Sequence, residues 1–580
     1  MSHKFRASLI AFTLGCLCIF SLRDAPAEVE AFQPNVLFIS IDDLNDWVGC
    51  LGGHPQALTP NLDRLAKSSV LFTNAHCPGS ACNPSRTAIF TGLSPHKTGL
   101  YDNRQKMREI LPDAEIIPKT LARHGYHSAG SGKLLHYFID APSWQDYFPK
   151  AETENPFPRT MYPVDRPLNL PRAGKWQYVE TDWGPLKATD EEYGGDHLVA
   201  EWISEQLQKE HDKPFFLGCG FYRPHEPWFV PEKYFEPFPL ESIQLPPGYR
   251  EDDLEDVPAS GKRLGPNRYF AHIQEQGQWK QAIQGYLAAI YFADSMLGKV
   301  LDALEASPNA DNTIVMLWSD HGWHLGEKQH WQKYTAWRAC TRVPLMVQVP
   351  KGTKGLPQGT QPAICTKPVS LLSLFPTLLE LCDLPSEESH DGPSLVPLLR
   401  NPESLWKHAA VTFQNKPDSY GLSTERWRYI YYPNGDEELY DIETDPYEWK
   451  NLATDQKYQT KLAELKELAP TRFAAMRSTT QAESVPTLEW KVSTRSDAPP
   501  SRPSGEPVQV EFFNNSAKPV KMFVLDRTAR PSFSAVIYGG RKHVEKAQPG
   551  VVYQICDGSG YQRGYFRVGP KSAKAIIPPQ

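Results

Sequence analysis

Short, continuous apolar runs recur through the first two-thirds of the chain, and each ends abruptly in polar residues. The clearest runs are residues 36–41, 215–221 and 313–319. Apolar runs of this length without alternation are typical of parallel strands covered on both faces. Three segments outside these runs are predicted to be helices: residues 61–68, 118–125 and 282–305. The pattern therefore predicts an α/β domain built on a buried, mostly parallel sheet.

The last third of the chain has a different pattern. Residues 427–431 and 438–442 look like antiparallel strands, and residues 458–476 are predicted to be helical. Residues 508–515 and 520–526 alternate between apolar and polar positions, and two later segments, 551–556 and 565–568, complete a small all-β pattern. A chain of 580 residues is long enough for several cores. We divide it into a leader and four further segments: 1–27, 33–400, 401–483, a Pro- and Ser-rich linker 484–507, and a β-sandwich at 508–575.

The N-terminus is typical of a secretory signal peptide. Lys4 and Arg6 precede an apolar run at 7–22, and Ala25-Pro26-Ala27 offers a cleavage site near Ala27. We expect the mature protein to be exported to the periplasm, the cell surface or the medium. A lipoprotein site at Cys16 and a retained anchor helix are the alternatives.

Composition restricts the partners. The net charge of −7 argues against a general nucleic-acid binder, and an anionic substrate would need a local basic pocket. Of the ten cysteines, the eight outside the leader are scattered without metal-ligand spacing, so no disulfide framework is implied.

Two apolar runs end in acidic residues. Asp42 and Asp43 follow residues 36–41, and Asp320 and His321 follow residues 313–319. Doubly wound α/β proteins bind ligands at the carboxyl ends of such strands. Adjacent carboxylates repel one another unless a cation lies between them, so the two strand ends would form a site for a hard cation if they met. The alternative is a solvated turn, a common place for Asp.

The stretch Cys82-Asn83-Pro84-Ser85-Arg86 precedes an apolar helical turn. We expect Pro84 at the first helical position, which places Cys82 at the helix N-terminus, where free N–H groups favour an anion. Arg86, one turn further on, would return beneath Cys82 as a fixed cation. The alternative is a buried structural cysteine.

Three further polar motifs follow. Gly132-Lys133 with His136 does not have the glycine spacing of a nucleotide-binding P-loop. His225 lies between two prolines on a stiffened loop, a suitable mount for an acid–base group. Lys333-Tyr334 lies on a polar, Trp-rich loop.

These motifs in this order resemble the type I sulfatases, and most strongly the iduronate-2-sulfatase type, over residues 33–476. The Cys-x-Pro-Ser-Arg pattern is the family's maturation signal. The resemblance implies an alkaline-phosphatase-like fold with a large, mixed, mostly parallel sheet and a small antiparallel C-terminal subdomain. The tail resembles the β domain of the von Hippel–Lindau tumour suppressor, which suggests a binding module whose ligand we do not assign.

The resemblance also implies a modified residue and a metal. Cys82 would be oxidised to formylglycine (3-oxoalanine) by a maturation enzyme. Ca²⁺, or alternatively Mg²⁺, would be held by a set of five side chains: Asp42, Asp43, the modified Cys82, Asp320 and His321. Oxygen-dominated ligation suits these ions.

Catalytic roles follow by the same resemblance. Hydrated formylglycine would attack sulfur, Asp320 would help to remove its proton, and Arg86, Lys133 and Lys333 would stabilise the charge on the sulfuryl oxygens. His225, with Lys333, would protonate the leaving oxygen, and His136 would deprotonate the second hydroxyl. The expected substrate contacts are Lys133, His225, Trp323, Lys333 and Tyr334, with core packing an equal alternative for Trp323.

The implied substrate is a sulfated sugar in a polysaccharide, either a 2-O-sulfated uronic acid or a fucan or galactan sulfate. The insertion at 137–188 is expected to shape the sugar pocket. Phosphoester hydrolases of the same fold use Ser or Thr as nucleophile and usually two metals, so Cys82 with Pro84 and Arg86 argues against them. An inactive carbohydrate-binding protein on this scaffold is a further alternative, against which the intact motifs argue.

Overall fold

The structure is a computed structural model that describes residues 32–136, 138–150, 169–170, 181–477, 486–493 and 498–579. The expected signal peptide lies outside the described residues, as do residues 137, 151–168 and 171–180 of the insertion. Of the helices within the described ranges, none has the length and apolar character needed to cross a membrane.

Strands and helices are interspersed along the chain up to residue 400. The strands are β1 Asn35–Ile41, β2 Val70–Phe72, β3 Ala75–His76, β4 His127–Gly132, β5 Asp146–Phe148, β6 Trp183–Leu186, β7 Phe215–Phe221, β8 Trp228–Pro231, β9 Thr313–Ser319, β10 His324–Leu325, β11 Trp331–Gln332, β12 Leu345–Gln348, β13 Ala363–Cys365 and β14 Val369–Ser370. The helices are α1 Pro60–Ala66, α2 Cys82–Thr91, α3 Pro95–Thr98, α4 Met107–Ile110, α5 Ile117–Arg123, α6 Asp190–Tyr193, α7 Asp196–Leu207, α8 Ala259–Lys262, α9 Arg268–Glu275, α10 Trp279–Glu305, α11 Arg338–Thr341, α12 Leu374–Leu381 and α13 Val396–Arg400.

Eight strands form the main sheet in the order β13-β2-β12-β9-β1-β7-β4-β5. β12 runs antiparallel to both of its neighbours, and the other pairings are parallel. The three apolar runs of the sequence are its central strands β9, β1 and β7. The prediction of a mixed, mostly parallel sheet is confirmed.

Both faces of this sheet are buried, which explains why its central strands lack alternation. Along β1, Val36 and Phe38 pack into one hydrophobic cluster, whereas Leu37 and Ile39 pack into the other. The 27-residue helix α10 contributes its apolar side to the second of these clusters. With apolar material on each face, polar groups are confined to the strand ends.

The C-terminal subdomain is a four-stranded antiparallel sheet in chain order. It comprises β15 Ala410–Phe413, β16 Tyr420–Ser423, β17 Trp427–Tyr431 and β18 Glu437–Asp441, followed by α14 Gln459–Glu467. The helix ends well before the predicted residue 476, because Pro470 prevents its continuation.

The tail forms two facing sheets, as expected of an all-β unit. Its strands are β19 Lys491–Val492, β20 Val508–Asn514, β21 Val520–Leu525, β22 Pro531–Ile537, β23 Lys542–Ala547, β24 Val552–Asp557, β25 Gln562–Arg567 and β26 Ala573–Ile577. Part of the expected linker 484–507 belongs to this unit, since β19 pairs with β25 and Trp490 packs against Phe566. The sequence did not indicate β22 and β23, whose residues are largely exposed and lack a clear apolar face.

Candidate active site

Four neighbouring strands deliver polar side chains to one edge of the main sheet. β9, β1, β7 and β4 are consecutive and parallel, so their carboxyl ends lie side by side. Asp320 and His321 directly follow β9, Asp42 and Asp43 follow β1, and Lys133 follows β4. His225 lies in the loop after β7. The two acidic strand ends meet, since the Asp43 backbone N–H donates to Asp320 Oδ1 at 3.1 Å.

Helix α2 carries Cys82 into the same place as its first residue, after Ala81 in extended conformation. Pro84 is the third helical residue, so its predicted first position is wrong. Proline costs no hydrogen bond at the third position either, because the N–H groups of the first turn have no partner within the helix. Cys82 is fully buried at the helix N-terminus, where the helix dipole favours negative charge.

Arg86 occupies the floor of the site beneath the acidic residues. It is fully buried, and its Nη2 donates to Asp42 Oδ1 at 2.9 Å while its Nε donates to Asp320 Oδ2 at 2.8 Å. Its Nη1 donates to the carbonyls of Lys133 and Leu134. One guanidinium thus links the ends of β1, β9 and β4, and its charge is directed at carboxylates of the protein.

We expect Arg86→Met to lower the free energy of unfolding by about 3–5 kcal/mol, because it leaves two buried carboxylates without their shared partner. Chemical denaturation measures this loss. Arg104→Met is the matched control: Arg104 also pairs with an aspartate, Asp102, but on the surface, and it should leave stability unchanged. Equal effects of the two substitutions would contradict the structural role of Arg86.

Two lysines converge on Cys82. Lys133 Nζ lies 3.7 Å from the Cys82 Sγ and contacts Asp42. Lys333 Nζ lies 3.0 Å from the same sulfur and 2.9 Å from Asp43 Oδ1. Lys133 reaches this position because Gly132 adopts φ of +74°, where a side chain would collide with the Gly220 carbonyl.

These cations favour negative charge at residue 82. Burial opposes ionisation of the Cys82 thiol, but Lys133 and Lys333 outweigh burial and lower its pKa to about 7. His321 adds to this effect, with Nε2 at 3.3 Å from the sulfur. The position is therefore suited to an anionic nucleophile or ligand.

Asp43, Cys82, Asp320 and His321 each offer a ligand atom, and these four atoms lie within 4.8 Å of one another. Asp43 Oδ2 is buried and has no hydrogen-bond partner among the described residues. Burial, with Asp42 and Cys82, raises the pKa of Asp43 to about 8 despite Lys333 and His321. An unsatisfied, destabilised carboxylate is the expected signature of a cation site, so these residues fit a bound divalent ion.

His225 faces Asp43 from the loop after β7. Its Nδ1 donates to the Glu226 carbonyl, which leaves Nε2 directed into the site, 3.6 Å from Asp43 Oδ2. Burial, with Lys133 and Lys333, lowers its pKa well below the usual value. Asp196 holds the loop, accepting hydrogen bonds from the Tyr222 and Arg223 N–H groups at 2.8 Å. Asp196 is the first residue of α7, so this helix positions the loop after β7.

The remaining predicted residues lie around this centre. His136 is partly buried, and burial with Lys133 and Lys333 lowers its pKa. Trp323 is 1% exposed and packs between Trp228 and the Lys333 ammonium, which lies 5.3 Å from its ring. Tyr334 is half-buried, and its hydroxyl accepts a hydrogen bond from Asn103. The arrangement favours core packing for Trp323 and leaves Tyr334 at the surface of the site.

Sequence reasoning missed one supporting residue of the site. Tyr286 of α10 donates its hydroxyl to the Asp43 carbonyl at 2.8 Å and accepts from the Asn45 N–H. It restrains Asp43, which has an unusual φ of 58° for a non-glycine residue. Tyr286 lies more than 240 positions from Asp43 and is one apolar-face residue among many, so no local signal distinguishes it.

Comparisons with known proteins agree with this geometry. A family model described as sulfatase matches residues 34–384, and one described as N-sulphoglucosamine sulphohydrolase, C-terminal, matches residues 326–472. A protein named sulfatase from Formosa agariphila is 40% identical over 472 residues, which cover 79% of this chain and 91% of that protein. Iduronate 2-sulfatase from Homo sapiens is 30% identical over 471 residues, covering 73% of this chain and 83% of the human protein.

A solved structure of a phosphonate monoester hydrolase from Silicibacter pomeroyi has the same fold. Its TM-score is 0.61 at 20% identity, over 75% of this chain and 94% of that one. At this identity the likeness supports the fold alone, and the alkaline-phosphatase-like sulfatase fold expected from the sequence is confirmed.

Proposed function

Because this chain belongs to the sulfatase family and is a sulfuric ester hydrolase, we propose that it removes sulfate from a sulfated sugar or polysaccharide. The observation that carries the proposal is the surroundings of Cys82. Its sulfur lies at a helix N-terminus within 3.7 Å of two ammonium groups and one imidazole, beside three buried carboxylates. Such a centre combines a nucleophile position with fixed positive charge.

We propose that residue 82 acts as formylglycine, made from Cys82 by a maturation enzyme. One hydroxyl of the formylglycine hydrate would attack sulfur and become esterified as the alcohol leaves. Deprotonation of the second hydroxyl would then re-form the aldehyde and expel sulfate, a step for which a thiol has no second hydroxyl. Asp42, Asp43, residue 82, Asp320 and His321 would hold Ca²⁺ or Mg²⁺, which supplies charge that stabilises the sulfuryl group.

The lysines of this chain bind and orient the sulfate group. Lys133 and Lys333 approach residue 82 together, so a sulfuryl group bound there would lie between two ammonium groups. Arg86 is committed to Asp42 and Asp320, and we propose that it stabilises the sulfuryl charge indirectly by holding these carboxylates in place. The closed, buried floor also excludes water from competing with the ester.

His225 is the proposed proton donor to the leaving oxygen. Its Nδ1 is occupied by the Glu226 carbonyl, so Nε2 is the atom that exchanges a proton with substrate. Before substrate binds, burial and the nearby lysines hold the pKa of the imidazole well below its usual value. An arriving sulfate ester brings negative charge, which favours protonation of Nε2. His136 is the proposed group that acts on the second hydroxyl.

We expect His225→Ala to lower kcat for a sugar sulfate by about 10²–10⁴-fold, because an alkoxide is a poor leaving group without a proton. The loss should be much smaller for 4-nitrophenyl sulfate, whose leaving group is stable as an anion. Steady-state kinetics on both substrates give the comparison. His324→Ala, which removes a buried histidine outside the proposed machinery, controls for nonspecific damage. An equal loss on both substrates would argue against acid catalysis by His225.

Support for a saccharide substrate comes from the named activity of the human relative, iduronate 2-sulfatase. A 2-O-sulfated uronic acid and a fucan or galactan sulfate are the two classes that we propose to screen. We further propose export through the N-terminal leader, and a tail unit that begins before Trp490 and binds a ligand still to be identified.

The direct test has two parts. The mass of the peptide that carries residue 82, from protein made in its native host, should show sulfur replaced by oxygen with loss of two hydrogens. The same preparation should release inorganic sulfate from sulfated saccharides faster than it hydrolyses a phosphonate monoester. An unmodified Cys82 with no sulfate release, in a host that matures other sulfatases, would support the inactive binding-scaffold alternative.

A further inference from the structure

A cavity of about 290 Å³ opens beside the active site, close to the lower end of the range typical of ligand pockets. Lys333 and Tyr334 belong to its lining, and Lys333 Nζ lies 3.0 Å from the Cys82 sulfur. Lys333 therefore borders both this cavity and the position of residue 82. We call this cavity the outer pocket.

The outer pocket is basic in an otherwise acidic protein. Arg263, Lys333 and Lys416 line it, and the described lining residues include no Asp or Glu. The chain as a whole carries a net charge of −7. Neither Arg263 nor Lys416 forms an ion pair with a carboxylate in the described part of the chain, and both are exposed. Their charge is thus available to a ligand.

A buried donor in the same wall points to a ligand as well. Gln414 is 3% exposed, its Oε1 accepts from the Ser419 hydroxyl, and its Nε2 has no partner among the described residues. A buried amide N–H without a partner costs about 1–3 kcal/mol, so a site that supplies an acceptor is expected. A sugar hydroxyl, carboxylate or sulfate oxygen would serve.

Two distant parts of the chain build this wall. Arg263 directly follows helix α8, whereas Gln414 and Lys416 lie in the turn between β15 and β16 of the C-terminal subdomain. That turn is anchored by a hydrogen bond from the Gln414 N–H to the Ser419 carbonyl at 2.9 Å. The C-terminal subdomain therefore contributes directly to the outer pocket.

We propose that the outer pocket selects saccharides that carry a second anionic group, a carboxylate or another sulfate, next to the sulfate ester. Arg263 and Lys416 are the specificity-determining residues, and Gln414 donates to the sugar. This inference rests on the proposed function, since it assigns the substrate class of the same site.

The test measures binding without turnover. Calorimetry on the full-length Cys82→Ala protein, in buffer that contains Ca²⁺, gives the Kd of a 2-O-sulfated uronate–glucosamine 6-sulfate disaccharide. Two analogues, one carboxyl-reduced and one lacking the 6-sulfate, identify which anionic group is recognised. We expect at least one analogue to bind about 10-fold more weakly. Equal Kd values for all three ligands, or no binding of any, would overturn the proposal.

Substitutions locate the effect. Arg263→Gln and Lys416→Gln should each weaken binding of the doubly anionic disaccharide by about 5-fold. Lys262→Gln is the matched control, because Lys262 is the exposed neighbour of Arg263 but does not line the pocket. If Lys262→Gln weakens binding as much as Arg263→Gln does, recognition is general electrostatics and the assignment fails. Sulfate release by the unsubstituted protein is measured separately, so failure of the proposed function is distinguishable from failure of this inference.

Discussion

Cys82→Ala is expected to lower sulfate release at least about 10⁴-fold while the protein remains folded, since it removes the thiol group whose oxidation would give the proposed formylglycine. The sulfur is fully buried beside Lys333, Lys133 and His321. Loss of one buried sulfur should cost no more than about 1–2 kcal/mol of stability. Sulfate release and thermal unfolding measure the two quantities on one preparation.

Cys77→Ala is the matched control for this substitution. Cys77 is equally buried, but its sulfur contacts the Cys340 carbonyl and lies outside the cluster of ligand atoms. We expect its activity to be retained. Near-normal turnover by Cys82→Ala would contradict the proposed mechanism, because that mechanism assigns the nucleophile to residue 82 alone. Comparable loss in both variants would show that packing, and not chemistry, accounts for the effect.

Removal of divalent cations should abolish activity and destabilise the fold. Asp42, Asp43 and Asp320 are all buried, and the unpartnered Asp43 oxygen is left without a cation when the ion is removed. A Lewis-acid contribution of several kcal/mol corresponds to a rate loss of more than about 100-fold. At a metal concentration 100 times Kd, the lost binding also lowers the free energy of unfolding by about 2.7 kcal/mol.

The measurement compares chelator-treated protein before and after addition of Ca²⁺ or Mg²⁺, by sulfate release and by thermal unfolding. The ion that restores both is the resident metal. Asp43→Asn keeps the shape of the side chain and removes its charge, and it should raise the metal Kd. Asp46→Asn is the control. Asp46 lies outside the ligand cluster and forms an ion pair with Arg342. Full activity of metal-free protein would exclude a catalytic metal in this site.

Much of the site could be predicted from local sequence. Asp42, Asp43 and Asp320 were identifiable because each follows a run of apolar residues that forms a strand buried on both faces, and polar residues can only lie at the ends of such a strand. Cys82 was identifiable because a proline soon after it marks the first turn of a helix. The class of protein followed from these motifs in their order along the chain.

Other features depend on contacts between distant segments, and only the tertiary structure decided them. The strand order placed β9, β1, β7 and β4 side by side, so that Arg86 neutralises two carboxylates. Tyr286 and Asp196 restrain site loops through hydrogen bonds over long sequence separations. The outer pocket combines Arg263 with Gln414 and Lys416. Hydrophobic periodicity is a short-range property of the chain and determines elements and their buried faces, whereas the position of a charge relative to another element depends on how the elements pack.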